Sequence, residues 1–174
     1  TLPIIFISLL FKDFIHSSYD SSTIVNQILP FTYLVMGLIL FSIKYIPSYK
    51  TKTKIIPVIA LIIGISQVIA ILPGISRAGI TISTALLLGV SRHESAEFSF
   101  MIGMPALFGA IAIDIIGTDI PITYYDLIGF TVSLIIGYLS IYLVFSLLSK
   151  SRFWYFAYYC WFISAISLII SKYV

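Results

Sequence analysis

Long apolar runs separated by short polar stretches set the pattern of this chain. A helix that crosses a bilayer needs about 20 mostly apolar residues. Four runs meet that length. Ile24 to Ile46 carries no charge before Lys44, and Leu127 to Leu148 carries none at all. Ala96 to Gly117 fits with Glu97 and Asp114 near its ends. Phe153 to Ile170 opens on Trp154, Tyr155, Tyr158, Tyr159 and Trp161, an interfacial aromatic belt. Leu2 to Phe11 is shorter, roughly 15 Å as a helix. It lacks the basic flank and small-residue cleavage site of a signal peptide. It reads as the tail of a spanning helix, and the chain, which opens on Thr1, as the C-terminal part of a longer one.

Ile55 to Val90 does not fit the pattern. It is apolar throughout but interrupted by Leu72-Pro73-Gly74-Ile75-Ser76-Arg77. Ile55 to Ile71 precedes the break, with Pro57 suited to a first helical turn. Ala78 to Leu88 follows it, closed by Gly89, and spans roughly 18 Å, too little to cross. Two short helices around a Pro-Gly break predict a re-entrant hairpin over residues 55–90. Irregular backbone at membrane depth persists only where protein or a water-filled cavity covers it, so the break predicts a cavity. The plainer alternative is two ordinary spans joined by a tight turn.

Composition agrees: 60% of the 174 residues are apolar and 10% charged, against about 45–50% and 25% in soluble domains. A soluble globule, a disordered chain and a nucleic-acid binder are excluded. The net charge of +3 needs no anionic partner beyond lipid. Cys160 is the single cysteine, so no internal disulfide forms, and it reads as a small apolar residue. His16 and His93 are the only histidines, too few for a Cys/His metal cluster. Basic residues gather in the loop holding Lys44, Lys50, Lys52 and Lys54 and in that holding Lys150 and Arg152. The positive-inside rule places both loops in the cytoplasm, and a re-entrant pair keeps Arg92 there too. The loops with Asp119 and Asp126, and with Asp13 and Asp20 beside Lys12, are acidic. The first of these and the C-terminus fall outside, and the hairpin tip points outward. The expected fold is all-α: a single integral-membrane domain over 1–174, a polytopic bundle with a re-entrant hairpin.

Chemistry concentrates at the break. Arg77 is the one strong base deep in an apolar stretch, where an arginine is unfavourable by about 2.5–3.5 kcal/mol. No acid lies in the hairpin, so an anionic ligand fits as its partner. A helix opening beside it adds free N–H groups and a positive dipole end. Gly74 and Gly79 allow close backbone approach, Ser76 and Thr81 add hydroxyls, and Gln67 lies on the preceding helix. Arginine's planar fork suits phosphate. The expectation is an oxyanion site for phosphate near mid-membrane. Two alternatives stand beside it: Arg77 pairs with Glu97 or Asp114 and locks the bundle, and Ser76 merely caps a helix. Glu97 is equally readable as a structural partner or a site residue. Ser91 and Glu94 form a capping box, His93 reads as solvated, His16 as a loop residue and Asp114 as interfacial.

Residues 67–100 resemble the bacitracin-resistance family of undecaprenyl-diphosphate phosphatases. The family's signature Pro-Gly-x-Ser-Arg-Ser-x-x-Thr is matched at Pro73, Gly74, Ser76, Arg77 and Thr81. The runs Leu88–Arg92 and Glu97–Phe100 are similar too, and so is the order of spans. The serine after the arginine is Ala78 here, one hydroxyl fewer. The family's N-terminal region, with a glutamate-rich motif, a Ser and a His on a second hairpin related by inverted symmetry, has no counterpart in this chain.

The resemblance implies hydrolysis of a polyprenyl diphosphate to the monophosphate and phosphate at the outer face of the plasma membrane. That reaction recycles the lipid carrier of cell-wall synthesis and confers bacitracin resistance. Phosphoryl transfer needs positioning and charge neutralisation more than covalent chemistry. Arg77 and Ser76 are the expected catalytic residues. Gly74, Ser76, Arg77, Gly79, Thr81 and Gln67 are expected to bind the diphosphate, with Glu97 as a further candidate. Mg²⁺ or Ca²⁺ is implied by the resemblance alone, its ligands unassigned. The partners are the lipid and the membrane, with a homodimer left open. Alternatives from other classes are a polyprenyl-phosphate transporter using the same anion site and a structural or assembly subunit.

Overall fold

The computed structural model describes residues 22–46, 54–117 and 124–171, with the side chains of 22–26, 110 and 113–117 excepted. Every element among the described residues is helical. In chain order they are α1 (Ser22–Ser42), α2 (Pro57–Ser66), α3 (Arg77–Leu87), α4 (Arg92–Gly117), α5 (Tyr124–Ser149) and α6 (Phe156–Ser171). Short 3₁₀ turns extend α1 through Ile43–Tyr45, continue α2 through Gln67–Ile71, and lead into α6 at Phe153–Tyr155. Leu2–Phe11, Lys12, Asp13, His16, Asp20, Lys50, Lys52 and Asp119 lie outside the described residues, as does the Asp114 side chain.

Three stretches are long and apolar enough to cross a membrane: Gln27–Tyr45, Tyr124–Ser149 and Phe153–Ser171. They correspond to three of the four expected spans. The fourth expected run lies within α4, a continuous helix of 26 residues, roughly 39 Å long. Between residues 55 and 90 the two helical pieces and the break fall where the sequence places them. Pro57 occupies the first turn of α2. α3 ends in a Schellman motif, with Gly89 at φ 82° and Val90 N–H donating to Ala85 O at 3.0 Å.

The core follows helical spacing. Met36, Leu40 and Ile43 on α1 meet Ile82 and Leu86 on α3, and Phe153, Ala157 and Cys160 at the start of α6. A smaller cluster joins Ile59 and Ile63 of α2 to Ala85 and Val90. α1 runs along α6 closely enough that a Cβ at Gly37 would collide with the Trp161 indole. Ser164 fastens the pair by donating to Pro30 O at 2.7 Å. The α5 side chains are nearly all exposed, and Leu148 is its buried residue. An apolar helix exposed all round suits lipid contact.

Described residues beside the two basic loops meet at one end. Arg92 Nη2 donates to Ile46 O at 3.3 Å, and Lys44 Nζ stands 4.7 Å from the Trp154 ring centroid. Residues 44–46, 92 and 152–154 therefore share one side of the bundle, as the charge pattern requires.

Candidate functional site

The site is built on the break and the first turn of α3. Gly74 turns the chain with φ 91°, a conformation that side-chain-bearing residues rarely adopt. The turn is fastened to α1 by Thr32, whose Oγ1 lies 2.6 Å from Pro73 O and 2.9 Å from Leu29 O. Only a glycine fits there, because a Cβ at position 74 would run into Thr32 Oγ1. Ser76 is the N-cap of α3, extended at φ −71°, ψ 119°, and its Oγ accepts from Gly79 N–H at 3.1 Å. The capping role weighed for it is therefore present.

The helix sorts the remaining residues onto two faces, since positions four apart share a side. Arg77 and Thr81 turn toward α4. Ser76 and Gly79 turn toward α1 and α6. On the α4 side the guanidinium uses four of its N–H groups. Nε and Nη2 donate to Gln67 Oε1 at 3.1 and 2.8 Å. Nη2 also donates to Ile102 O at 2.7 Å, and Nη1 to Gly103 O at 3.3 Å. All these acceptors are neutral. Among the described residues no carboxylate pairs with Arg77. Glu97 instead stands half-exposed beside His93, its Oε2 3.6 Å from Nδ1. Four of the guanidinium's N–H groups are thus engaged, and among the described residues its charge has no counter-ion.

The α4 acceptors are the functional groups that sequence reasoning missed. Pro105 sits inside α4. It has no N–H to give Met101 O, and its ring disturbs the preceding turn. The carbonyls Arg77 uses lie in that turn, and Gly103 lets the guanidinium reach it: an added Cβ would stand 3.2 Å from Nη1. A proline in a long apolar helix, with glycine two residues before it, was the available signal.

Gln67 is fully buried, and its Nε2 has no partner. An orphaned buried donor costs about 1–3 kcal/mol. Thr81 is fully buried too. Its hydroxyl lies 2.9 Å from Arg77 O, 3.2 Å from Ala78 O and 2.6 Å from Ser99 Oγ, tying α3 to α4. In this arrangement it offers nothing to a ligand. Glu94 is explained by the helix cap: its N–H donates to Ser91 Oγ at 3.3 Å, and Ser91 Oγ donates to Glu94 Oε2 at 2.8 Å.

On the other face a cavity of about 410 Å³ opens between α1, α3 and α6. Gly74, Ser76 and Gly79 lie along one part of its wall, and Met36, Ile82, Phe153, Phe156 and Cys160 make it apolar. Ser76 is exposed. The expected single cradle is thus distributed: Arg77 with Gln67 toward α4, and Ser76 with Gly74 and Gly79 on the cavity. No group of three or more His, Cys, Asp or Glu side chains gathers among the described residues. None of the described residues is assigned to Mg²⁺ or Ca²⁺.

Fold and site together define a helical membrane bundle built around an arginine-bearing break. The chain matches, over residues 1–166, the family model described as bacitracin resistance protein BacA. It is 34% identical over 160 residues to an undecaprenyl-diphosphatase of Methanococcus maripaludis, an alignment covering 92% of this chain and 62% of that protein. A protein of the same name from Methanothermobacter thermautotrophicus is 38% identical over 170 residues, covering 92% of this chain and 91% of the relative. A third, from Desulforapulum autotrophicum, is 33% identical over 173 residues, covering 97% and 61%. The chain belongs to the BacA family. It spans 62% of the length of the Methanococcus relative.

Proposed function

We propose that the protein hydrolyses undecaprenyl diphosphate, or a similar polyprenyl diphosphate, to the monophosphate and inorganic phosphate. It would act as a multi-pass enzyme of the plasma membrane, with residues 55–90 re-entering from the cytoplasmic side and the break facing outward. Bacitracin resistance would follow from renewed supply of the lipid carrier. The observation that carries the reading is the Arg77 charge, held among apolar helices by acceptors that, among the described residues, are all neutral. Such a charge is available to an anion, and a diphosphate is the anion named by the relatives. The apolar cavity beside Ser76 supports a lipid-tailed substrate. No observation favours transport.

Arg77 would neutralise charge developing on the phosphoryl oxygens. Ser76 Oγ already accepts from Gly79 N–H, and its proton remains to be donated to a phosphate oxygen. The exposed turn before α3 brings that hydroxyl to the cavity wall. Glu97, half-exposed beside His93, has no contact with Arg77 and is assigned no step.

The test is phosphate release by purified protein in detergent, with polyprenyl diphosphate as substrate. Release that depends on Arg77 is expected; substrate left intact by folded protein overturns the reading. A more local outcome is expected at Gly103. In Gly103→Ala the new methyl presses on Nη1 and shifts the guanidinium. Displacements near 1 Å can lower rates about 10²-fold. Gly103→Ala should therefore lose at least about ten-fold in kcat/KM while its thermal midpoint stays within a few degrees.

A further inference from the structure

We infer that Gln67 is a positioning residue whose amide orients Arg77 without cancelling its charge, so that the guanidinium remains able to bind a diphosphate. The inference rests on the diphosphatase reading for its ligand and on the Arg77 contacts for its geometry. Arginine has donors only, so the oxygen of Gln67 must face it. That oxygen takes two of the guanidinium's hydrogen bonds, at 3.1 and 2.8 Å. The amide's other end, Nε2, is then turned into buried surroundings with no acceptor.

A glutamate has almost the same shape. It would accept the same two hydrogen bonds, make them stronger through its charge, and leave no orphaned donor. For gripping the guanidinium alone, glutamate is the stronger acceptor at this position. It would also neutralise the arginine. The other acceptors, Ile102 O and Gly103 O, are likewise uncharged. The guanidinium is thus fixed at three neutral atoms, an arrangement that preserves positive charge and gives up some stability. Gln67 is sealed from solvent, so it acts through Arg77 rather than by touching the ligand.

The variants Gln67→Glu and Gln67→Met separate orientation from charge. Thermal midpoint, affinity for inorganic diphosphate and phosphate release from polyprenyl diphosphate are measured on the full chain in detergent. Gln67→Glu is expected to melt at or above the wild-type temperature, to bind diphosphate at least ten-fold more weakly, and to release phosphate at least 100-fold more slowly. A purely structural glutamine would not let stability and anion affinity move in opposite directions. Gln67→Met keeps the charge and loses the acceptor, and should retain diphosphate affinity within about three-fold while kcat falls at least ten-fold. Gln67→Glu that binds diphosphate as wild type does overturns the inference, and so does Gln67→Met with wild-type kcat. Should Gln67→Glu fail to fold, the Gln67→Met result decides. Wild-type protein that binds diphosphate but releases no phosphate removes the enzymatic reading, and the diphosphate affinities of the two variants then judge Gln67 alone. Wild-type protein with no affinity for diphosphate overturns the inference.

Discussion

Arg77→Lys is expected to lower phosphate release from polyprenyl diphosphate by about 10³-fold, within the range that a single arginine supplies in phosphoryl transfer. The charge survives this substitution; the geometry does not. Gln67 Oε1 and the carbonyls of Ile102 and Gly103 surround a planar fork whose Nε and two Nη atoms each meet an acceptor. A lysine offers three donors from one nitrogen on a differently shaped stem and cannot reproduce that span. Arg77→Ala should be as inactive and less stable, because the Gln67 amide and two helix carbonyls lose their donor. Leaving such groups unsatisfied costs about 1–3 kcal/mol each when they are buried. The measurement is kcat/KM beside the thermal midpoint for both variants. Activity in Arg77→Lys within ten-fold of wild type would show that the fork is not what the reaction uses.

Gly74→Ala should produce a large loss of stability. The left-handed backbone there costs an alanine about 1–2 kcal/mol. The methyl also meets Thr32 Oγ1, so the hydroxyl must leave Pro73 O, a net loss of about 1 kcal/mol. Together these predict a midpoint lowered by roughly 5–10 °C for a domain of this size. Thr32→Ala removes the hydrogen bond without strain or collision and should lose no more than half as much. Equal losses in the two variants would place the whole effect in the Thr32 contact. Gly74→Ala should also lose activity, since the turn it distorts leads directly into Ser76 and Arg77.

Much of this site was legible because its residues break local rules. Pro73-Gly74 cannot continue a helix, and Arg77 does not belong in an apolar run without a reason. Those violations mark the break, and Gln67 was readable as a neighbour because it lies on the helix that precedes it. The helix cap at Ser76 and the one at Ser91 with Glu94 were readable from spacing alone. The acceptors on α4 were not, because a backbone carbonyl has no letter of its own. Arg77 finds Ile102 O and Gly103 O more than twenty positions away. Thr32 was missed for a similar reason: its partner is the carbonyl of Pro73. The division of Ser76 from Arg77 across α3 was available in the numbering. Arg77 and Thr81 are one turn apart, and a helix cannot aim them and Ser76 the same way.

The backbone hold on Arg77 has a consequence for which substitutions the protein can accumulate. Main-chain oxygens are supplied whatever side chain occupies a position, so Ile102 is free to drift among residues of its size without loosening its grip on Arg77. Pro105 takes part in none of the Arg77 hydrogen bonds, yet it withholds a helix N–H one turn from the carbonyls that make them. The constraint thus reaches a residue outside the hydrogen bonds that hold the guanidinium.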